Sequence, residues 1–594
     1  MNHHIILTKL DCATFAAYLI ALSVIGWWAG RKQADTSSGY FLASRSLPWY
    51  VVGSSFIAAN ISTEHFIGMV GAAVIYGICV ATPEWSSVIA FTFLIWIFIP
   101  FLMSARVFTA PEFLERRFSP TLRLFFATVT VIVNIFGFLA PVLYGGGLAL
   151  DRVMGFGDIW STATDGTILQ GYLNGGLYSA ITIIAIVAGF WAILGGLRSV
   201  AWMDVLTIVV KLGGGLLVTW FGLKLLSGPA DSVWTGFKVM IERNQASTGV
   251  WRDAVEHVRP YILPGAASYN RLSVIQPLTH ETTPWSHWVL SFFYIGLWYT
   301  VINQFMIQRV LAARSLYDAR MGIVFAGFLK LLLPFVVVVP GLIFFALHPD
   351  ILLSGALSDI RPEADRTYIN MIRDLIPVGL KGVLLAALFG AIQSTVSAVI
   401  NSTSTIVTLD IYKRFVRSDL TEHESVKLGR WVAGVTLIVS IVSAFYISSM
   451  KASLFVYIQE LYTFFAPPFS AIFLLGTLWR RVNGTSATST IFAGFVFGIA
   501  VKILVSTGHA PLWLAPYANQ GIVNWAICMV LGVVLSLLTQ PPRPEQITDD
   551  LTMNWKNLNL GGGLGARWYQ SVPLWWAATF AGMTAFIIIF GAIL

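Results

Sequence analysis

Residues 57–69 read IAANISTEHFIGM, placing Asn60, Ser62, Thr63, Glu64 and His65 almost side by side in the middle of an otherwise apolar span. A continuous helix facing lipid does not tolerate such a row, because each polar group leaves water without gaining a partner. The stretch therefore predicts an interrupted helix whose freed carbonyls line a cavity. The competing reading, hydrogen bonding between helices with no ligand, asks for polar partners on neighbouring spans.

The chain around this segment is built for a bilayer. Of its 594 residues 56% are hydrophobic and only 11% charged, with a mean hydropathy of +0.75. About 14 stretches approach the roughly 20 apolar residues that a helix needs to cross, which predicts an all-α polytopic membrane protein. The first, near 11–30, is followed by Arg31 and Lys32, the reverse of a secretory signal, so a retained helix with its N-terminus outside is expected. In that orientation Arg31/Lys32/Arg45, Arg106/Arg116/Arg117/Arg123, Arg309/Arg314/Arg320, Lys413/Arg414/Arg417 and Arg480/Arg481 all fall on the cytoplasmic side, and the C-terminus points outward. The net charge of +8 is explained by these loops without a nucleic acid partner. Cys12, Cys79 and Cys528 stand at no metal-ligand or disulfide spacing.

Five segments are expected: an extra N-terminal helix and loop over 1–47, five helices over 48–227, an external loop over 228–284, five more helices over 285–478, and peripheral helices over 479–594. The two sets of five begin on opposite membrane faces, the arrangement of an inverted repeat. The loop after 227 carries Trp234, Trp251 and several prolines and predicts an ordered external cap; the Pro- and Gly-rich 540–572 reads as a linker to a final helix.

Other intramembrane polar groups gather in a few places. YIGLWYTVINQFMIQR from Tyr294 holds Gly296, Tyr299, Thr300, Asn303 and Gln304 and predicts a second broken helix. The span 378–408 carries Gln393, Ser394, Thr395, Ser397, Asn401, Ser402, Thr403 and Ser404; two adjacent hydroxyls facing an unwound helix would make a hard-oxygen cage for a small cation, whereas helical hydroxyls also bond back to the preceding turn. Lys330, Glu84, Gln459 and Asp204 are further ionisable or amide groups at membrane depth, with snorkelling, an interfacial position and helix-end capping as their structural alternatives.

These residues sit in strings that resemble the sodium/glucose cotransporter branch of the sodium/solute symporter family: GYFLASRSLPWY from Gly39, IAANISTEHFIGM from Ile57, PEFLERRF from Pro111, GGLRSVAWMD from Gly195, NQFMIQRVLAA from Asn303, GIVFAGFLKL from Gly322, NSTSTIVTLDIYKRF from Asn401 and YIQELYTFFAPP from Tyr457. The resemblance implies a leucine-transporter-type inverted five-helix repeat with flanking helices. It implies a multi-pass protein of the cell inner membrane that imports a neutral sugar or polyol with sodium, one ion per cycle, with no oligomer required. It assigns sodium to Ala58, Ile61, Ala391, Ser394 and Thr395, and the solute to Asn60, His65, Glu84, Ser87, Lys330 and Gln459, with Tyr299 as an inner gate and Asp204 on the sodium pathway. Thr300, Gly296 and Phe138 depart from the sugar pattern, while Ala59 and Ala398 leave a second sodium site without hydroxyls. Another solute (an inositol, an amino acid or a sialic acid) and a sugar-gated sensor or channel remain rival readings. No metal-ligand motif or nucleophile with an evident base speaks for an enzyme.

Overall fold

The computed structural model describes residues 7–31, 36–105, 108–154, 175–447, 454–556 and 558–593, so Lys32 and Arg106 of the basic clusters lie outside the described residues. Among the described residues every extended regular element is a helix. Eleven helical stretches there are long and apolar enough to cross a membrane, or twelve when the bent pair Trp285–Ile302 and Gln304–Leu311 is counted. Two of them, Glu64–Ala105 and Gly176–Leu226, run 42 and 51 residues. Each is roughly twice a single passage of about 20 residues, which is why the sequence count runs higher. The second breaks at Gly196 (φ 54, ψ −167), a backbone conformation open to glycine.

The expected interruptions are present. The helix Trp49–Asn60 stops, Ile61 turns extended (φ −75, ψ 103), and the chain resumes as a wide turn over Glu64–Met69 and a helix over Val70–Tyr76. The amide of Ser62 donates to His65 Nδ1 (3.2 Å) and that of His65 to the Ser62 carbonyl (3.1 Å), so neither returns to the carbonyl one helical turn back. Ala58 and Ile61 thereby keep free oxygens. In the second break, Asn303 leaves the helix (φ −65, ψ 118) and caps the following limb through Phe305 N–H at 3.3 Å, and the two limbs meet at 54°.

Helix ends fix the outer elements to this centre. Thr8 and Asp11 form a capping box at the start of Lys9–Gly30, and Asp11 Oδ1 also accepts the amides of Gly379 (2.8 Å) and Gly382 (3.2 Å). A carboxylate at the amino end of Lys381–Thr405 suits the helix dipole there. A side chain at Gly382 would meet Asp11 O at 2.1 Å, so this docking needs glycine.

The stretch 228–284 holds the helices Val233–Asn244 and Val250–Ile262. Its Arg271, fully buried, donates to the carbonyls of Val74 and Ile75 (both 2.8 Å) and Ala73 (3.2 Å), closing the carboxyl end of Val70–Tyr76. Two further short helices, Leu357–Ala364 and Thr367–Leu375, lie in the segment between the spans Leu316–Leu347 and Lys381–Val416. The last helix, Val572–Ile588, packs on the bundle, with Phe586 stacked on Trp85 at 5.1 Å. Two residues of the basic clusters, both on helices, also do structural work. Arg117 is buried on the carbonyls of Gly476 (2.8 Å), Val482 (2.9 Å) and Trp479 (3.1 Å), and Arg123 pairs with Asp410 at 2.6 Å.

Candidate functional site

The solute residues expected from sequence, Asn60, His65, Glu84, Ser87, Tyr299, Lys330 and Gln459, all line one cavity. Lys330 in it is paired with a carboxylate, while Glu64 is bonded by a neutral amide. Lys330 Nζ lies 2.5 Å from Glu84 Oε2, so this lysine neither snorkels to the surface nor leaves Glu84 as an interfacial carboxylate. Because the Ser62 amide donates to His65 Nδ1, the imidazole carries its proton on Nε2, which faces Glu84 Oε1 at 3.4 Å. Gln459 Nε2 donates to Glu64 Oε1 at 3.0 Å, and Asn60 Nδ2 to the Tyr299 hydroxyl at 2.5 Å. Asn60 Oδ1 is buried without a hydrogen-bond partner.

Of the departures from the sugar pattern, Gly296 and Thr300 line this cavity, the threonine hydroxyl bonding back to Gly296 O at 2.8 Å. Phe138 stands apart, in an aromatic cluster with Phe305 (4.8 Å between centroids), Tyr462 (4.9 Å) and Tyr299 (6.5 Å). Tyr299, with Asn60, Glu64 and Tyr462, lines both this cavity and a smaller pocket that also takes in Ala59, Phe138, Phe305 and Thr395.

The expected cation oxygens also converge, with an unforeseen occupant. Ser394 Oγ donates to Ala58 O at 2.7 Å and lies 3.4 Å from Ala391 O, bringing the helix Lys381–Thr405 against the break. Thr395 turns aside, donating to Ala59 O at 3.0 Å. Among the oxygens sits the ammonium of Lys211, 2.7 Å from Ala58 O, 2.7 Å from Ile61 O and 2.6 Å from Ser394 Oγ. Asp204, on the same helix, accepts from Ser55 Oγ at 2.6 Å and lies 4.0 Å from Arg309 Nη2; it pairs across helices rather than serving as a helix cap.

Sequence reasoning missed Lys211, although a lone cation in LTIVVKLGGG was a signal, since an ionisable group at mid-membrane marks a site by default. It also left Glu64 outside the pocket and passed over His287 and Tyr462, which line it. His287 stands at the amino end of the second broken helix, just after the polar run His280–Thr283 and beside Ser286, so it reads in the sequence as the end of a hydrophilic loop.

Comparison with known proteins agrees with this geometry. The chain is 33% identical over 570 residues to a sodium/glucose cotransporter of Vibrio parahaemolyticus, covering 93% of this chain and 96% of that protein. It is 30% identical over 586 residues to the human sodium/myo-inositol cotransporter, covering 93% of this chain and 76% of the relative. A solved structure of a Na+-coupled sialic acid symporter in a substrate-bound outward-open state superposes with a TM-score of 0.70 at 20% identity, over 90% of this chain and 99% of that one. That likeness carries the fold, a leucine-transporter-type helical architecture. Residues 40–494 match the Sodium:solute symporter family, and the chain belongs to that family.

Proposed function

We propose that this protein is a sodium-coupled symporter that imports a neutral sugar or sugar-like polyol across the inner membrane by alternating access, with both termini on the periplasmic side. The observation that carries the solute class is the charge of the cavity: Lys330 is taken up by Glu84, His65 accepts at Nδ1 and is neutral, and Glu64 is held by the neutral Gln459. No positive charge is left over for a carboxylate, and Glu64 disfavours one. Hydroxyls that donate and accept at once suit a lining that offers the carboxylates, the lysine and the amides. The relatives named for glucose and myo-inositol support the same class.

In this reading the coupling ion binds at the break, on Ala58, Ile61, Ala391 and Ser394, with Thr395 bracing the same junction. It ties the first broken helix to Lys381–Thr405 and completes the cavity; coupling is the difference in ion affinity between the two conformations. One charge moving through about 100 mV supplies roughly 2.3 kcal/mol, and a tenfold ion gradient adds about 1.4 kcal/mol. Together these sustain a solute gradient of several hundredfold. Asp204 lies on the ion's route, Tyr299 gates the inner face, and no catalytic step is involved.

The test is uptake of a panel of labelled sugars, inositols, amino acids and sialic acid into proteoliposomes with and without an inward sodium gradient. Concentrative, sodium-stimulated uptake of a neutral polyol is expected, and the Ser394→Ala/Thr395→Ala double substitution removes the stimulation. Accumulation of an anionic solute alone sinks the solute assignment; downhill flux alone favours a channel or sensor.

A further inference from the structure

The cage at the first helix break is filled by the chain itself. A protonated lysine has three N–H donors and no acceptor, and the oxygens of Ala58, Ile61 and Ser394 take all three at 2.6–2.7 Å. Lys211 is fully buried there. Its three partners are neutral oxygens, two of them carbonyls at the carboxyl end of Trp49–Asn60, where the partial negative charge of the helix favours any cation. Ser394 relays the contact, accepting from the ammonium while donating to Ala58 O. Thus Lys211 makes the same junction between the broken helix and Lys381–Thr405 that a bound sodium ion would make.

We infer that Lys211 is a tethered cation that competes with sodium for this cage: its ammonium holds the break against Lys381–Thr405 when the ion is absent, and sodium binds only as the lysine withdraws. The inference rests on the sodium-coupled reading above and adds a specificity-determining residue to it. Ammonium and sodium cannot both take the same three oxygens at hydrogen-bond or coordination distance, so occupancy is exclusive. The side chain also has a place to go. Helical side chains lean towards the amino end of their helix, and Asp204 lies seven residues earlier in that direction, two turns along the same face. Asp204 Oδ1 is buried with no hydrogen-bond partner.

The experiment is a sodium titration of thermal stability for the full chain in lipid nanodiscs, in choline-substituted buffer with no solute, for the wild type, Lys211→Met and Lys211→Gln. Removing the competitor is expected to lower the half-saturating sodium concentration by about tenfold or more, as exclusion from a shared site requires. Lys211→Met is expected to melt below the wild type without sodium and to recover as sodium is added. Identical titration curves for wild type and both variants overturn the inference. Should neither variant fold, the wild type decides: stabilisation saturating in the micromolar range overturns it, and stabilisation that needs tens of millimolar sodium supports it. Because no solute is present, failure of every sugar in the uptake panel removes the sugar reading and leaves this result standing. Conversely, a wild type blind to sodium beside a responsive Lys211→Met supports exclusion while removing sodium coupling from the native chain.

Discussion

The solute cavity and the cation cage are two sides of one helix break, yet they satisfy their polar groups in opposite ways. In the cavity Lys330 and Glu84 pair directly at 2.5 Å, Glu64 is bonded by a neutral amide, and Asn60 keeps an acceptor unpartnered. In the cage a single formal charge, Lys211, meets only neutral oxygens and leaves none of its own donors free. An open site waits for a guest. A site closed around its own side chain has to be vacated first. The contrast teaches that a helix break supplies ligands without dictating what takes them.

The largest effect should come from unbalancing the cavity. Glu84→Gln leaves Lys330 buried without its carboxylate, and removing one partner of a buried ion pair costs about 3–5 kcal/mol. Thermal unfolding in nanodiscs is expected to report it, with Glu84→Gln/Lys330→Met recovering much of the loss. If the double substitution is no better than the single one, the charges are not acting as a matched pair.

The next effect distinguishes two neighbouring hydroxyls. Ser394 bonds to the Lys211 ammonium and to Ala58 O, whereas Thr395 makes one bond to Ala59 O. Hydrogen bonds to charged groups contribute about 1.5–3 kcal/mol and neutral ones about 0.5–1.5. Ser394→Ala should therefore lower stability and alter the sodium response more than Thr395→Ala. Equal effects would return Thr395 to the ligand set that the family resemblance implies.

A smaller change separates the two sites functionally. Gln459→Ala is expected to weaken solute half-saturation about tenfold, equivalent to about 1.4 kcal/mol, while the solute-free sodium titration stays unchanged. A sodium curve that moves with it would mean that the cavity and the cage are one cooperative unit.

What the sequence made legible follows from where polar residues stood together. The row from Asn60 to His65 announced the first break, and Tyr299 to Gln304 the second, because unsatisfied groups at membrane depth are conspicuous by number. Lys330, Glu84 and Gln459 were visible singly, but their pairing was not; Lys330 and Glu84 meet across 246 positions of chain. Lys211 stood alone in an apolar run, and nothing local places an ammonium among oxygens about 150 and 183 residues away. The count of crossings was blurred for a different reason: helices that run on through a turn, as at Gly196, merge two passages into one element.

The smallest expected effect lies in the segment that joins the spans Leu316–Leu347 and Lys381–Val416. Asp365 follows the helix Leu357–Ala364 and accepts the amide of Leu454, the first residue of the helix that bears Gln459, at 3.3 Å. Gly71 in the first broken helix lies so close that a side chain there would meet Asp365 N at 2.8 Å. Burial pushes the Asp365 carboxyl up from 3.8 to about 7, with the Leu454 amide and Arg361 opposing the shift. A carboxyl raised in the folded state holds its proton more tightly there than in the unfolded chain. Its contribution to stability is complete below the unfolded value and is lost as pH rises through about 7. The wild type should therefore melt a few degrees lower at pH 8 than at pH 5, and Asp365→Asn, which keeps an acceptor for Leu454 and cannot ionise, should flatten that slope. The difference between the two slopes isolates Asp365 from every other titrating group. Because this carboxyl joins that segment to the helix of Gln459 and touches no cage residue, its removal should leave the sodium titration where it was; a sodium curve that shifts with Asp365→Asn would break the separation between the two sites.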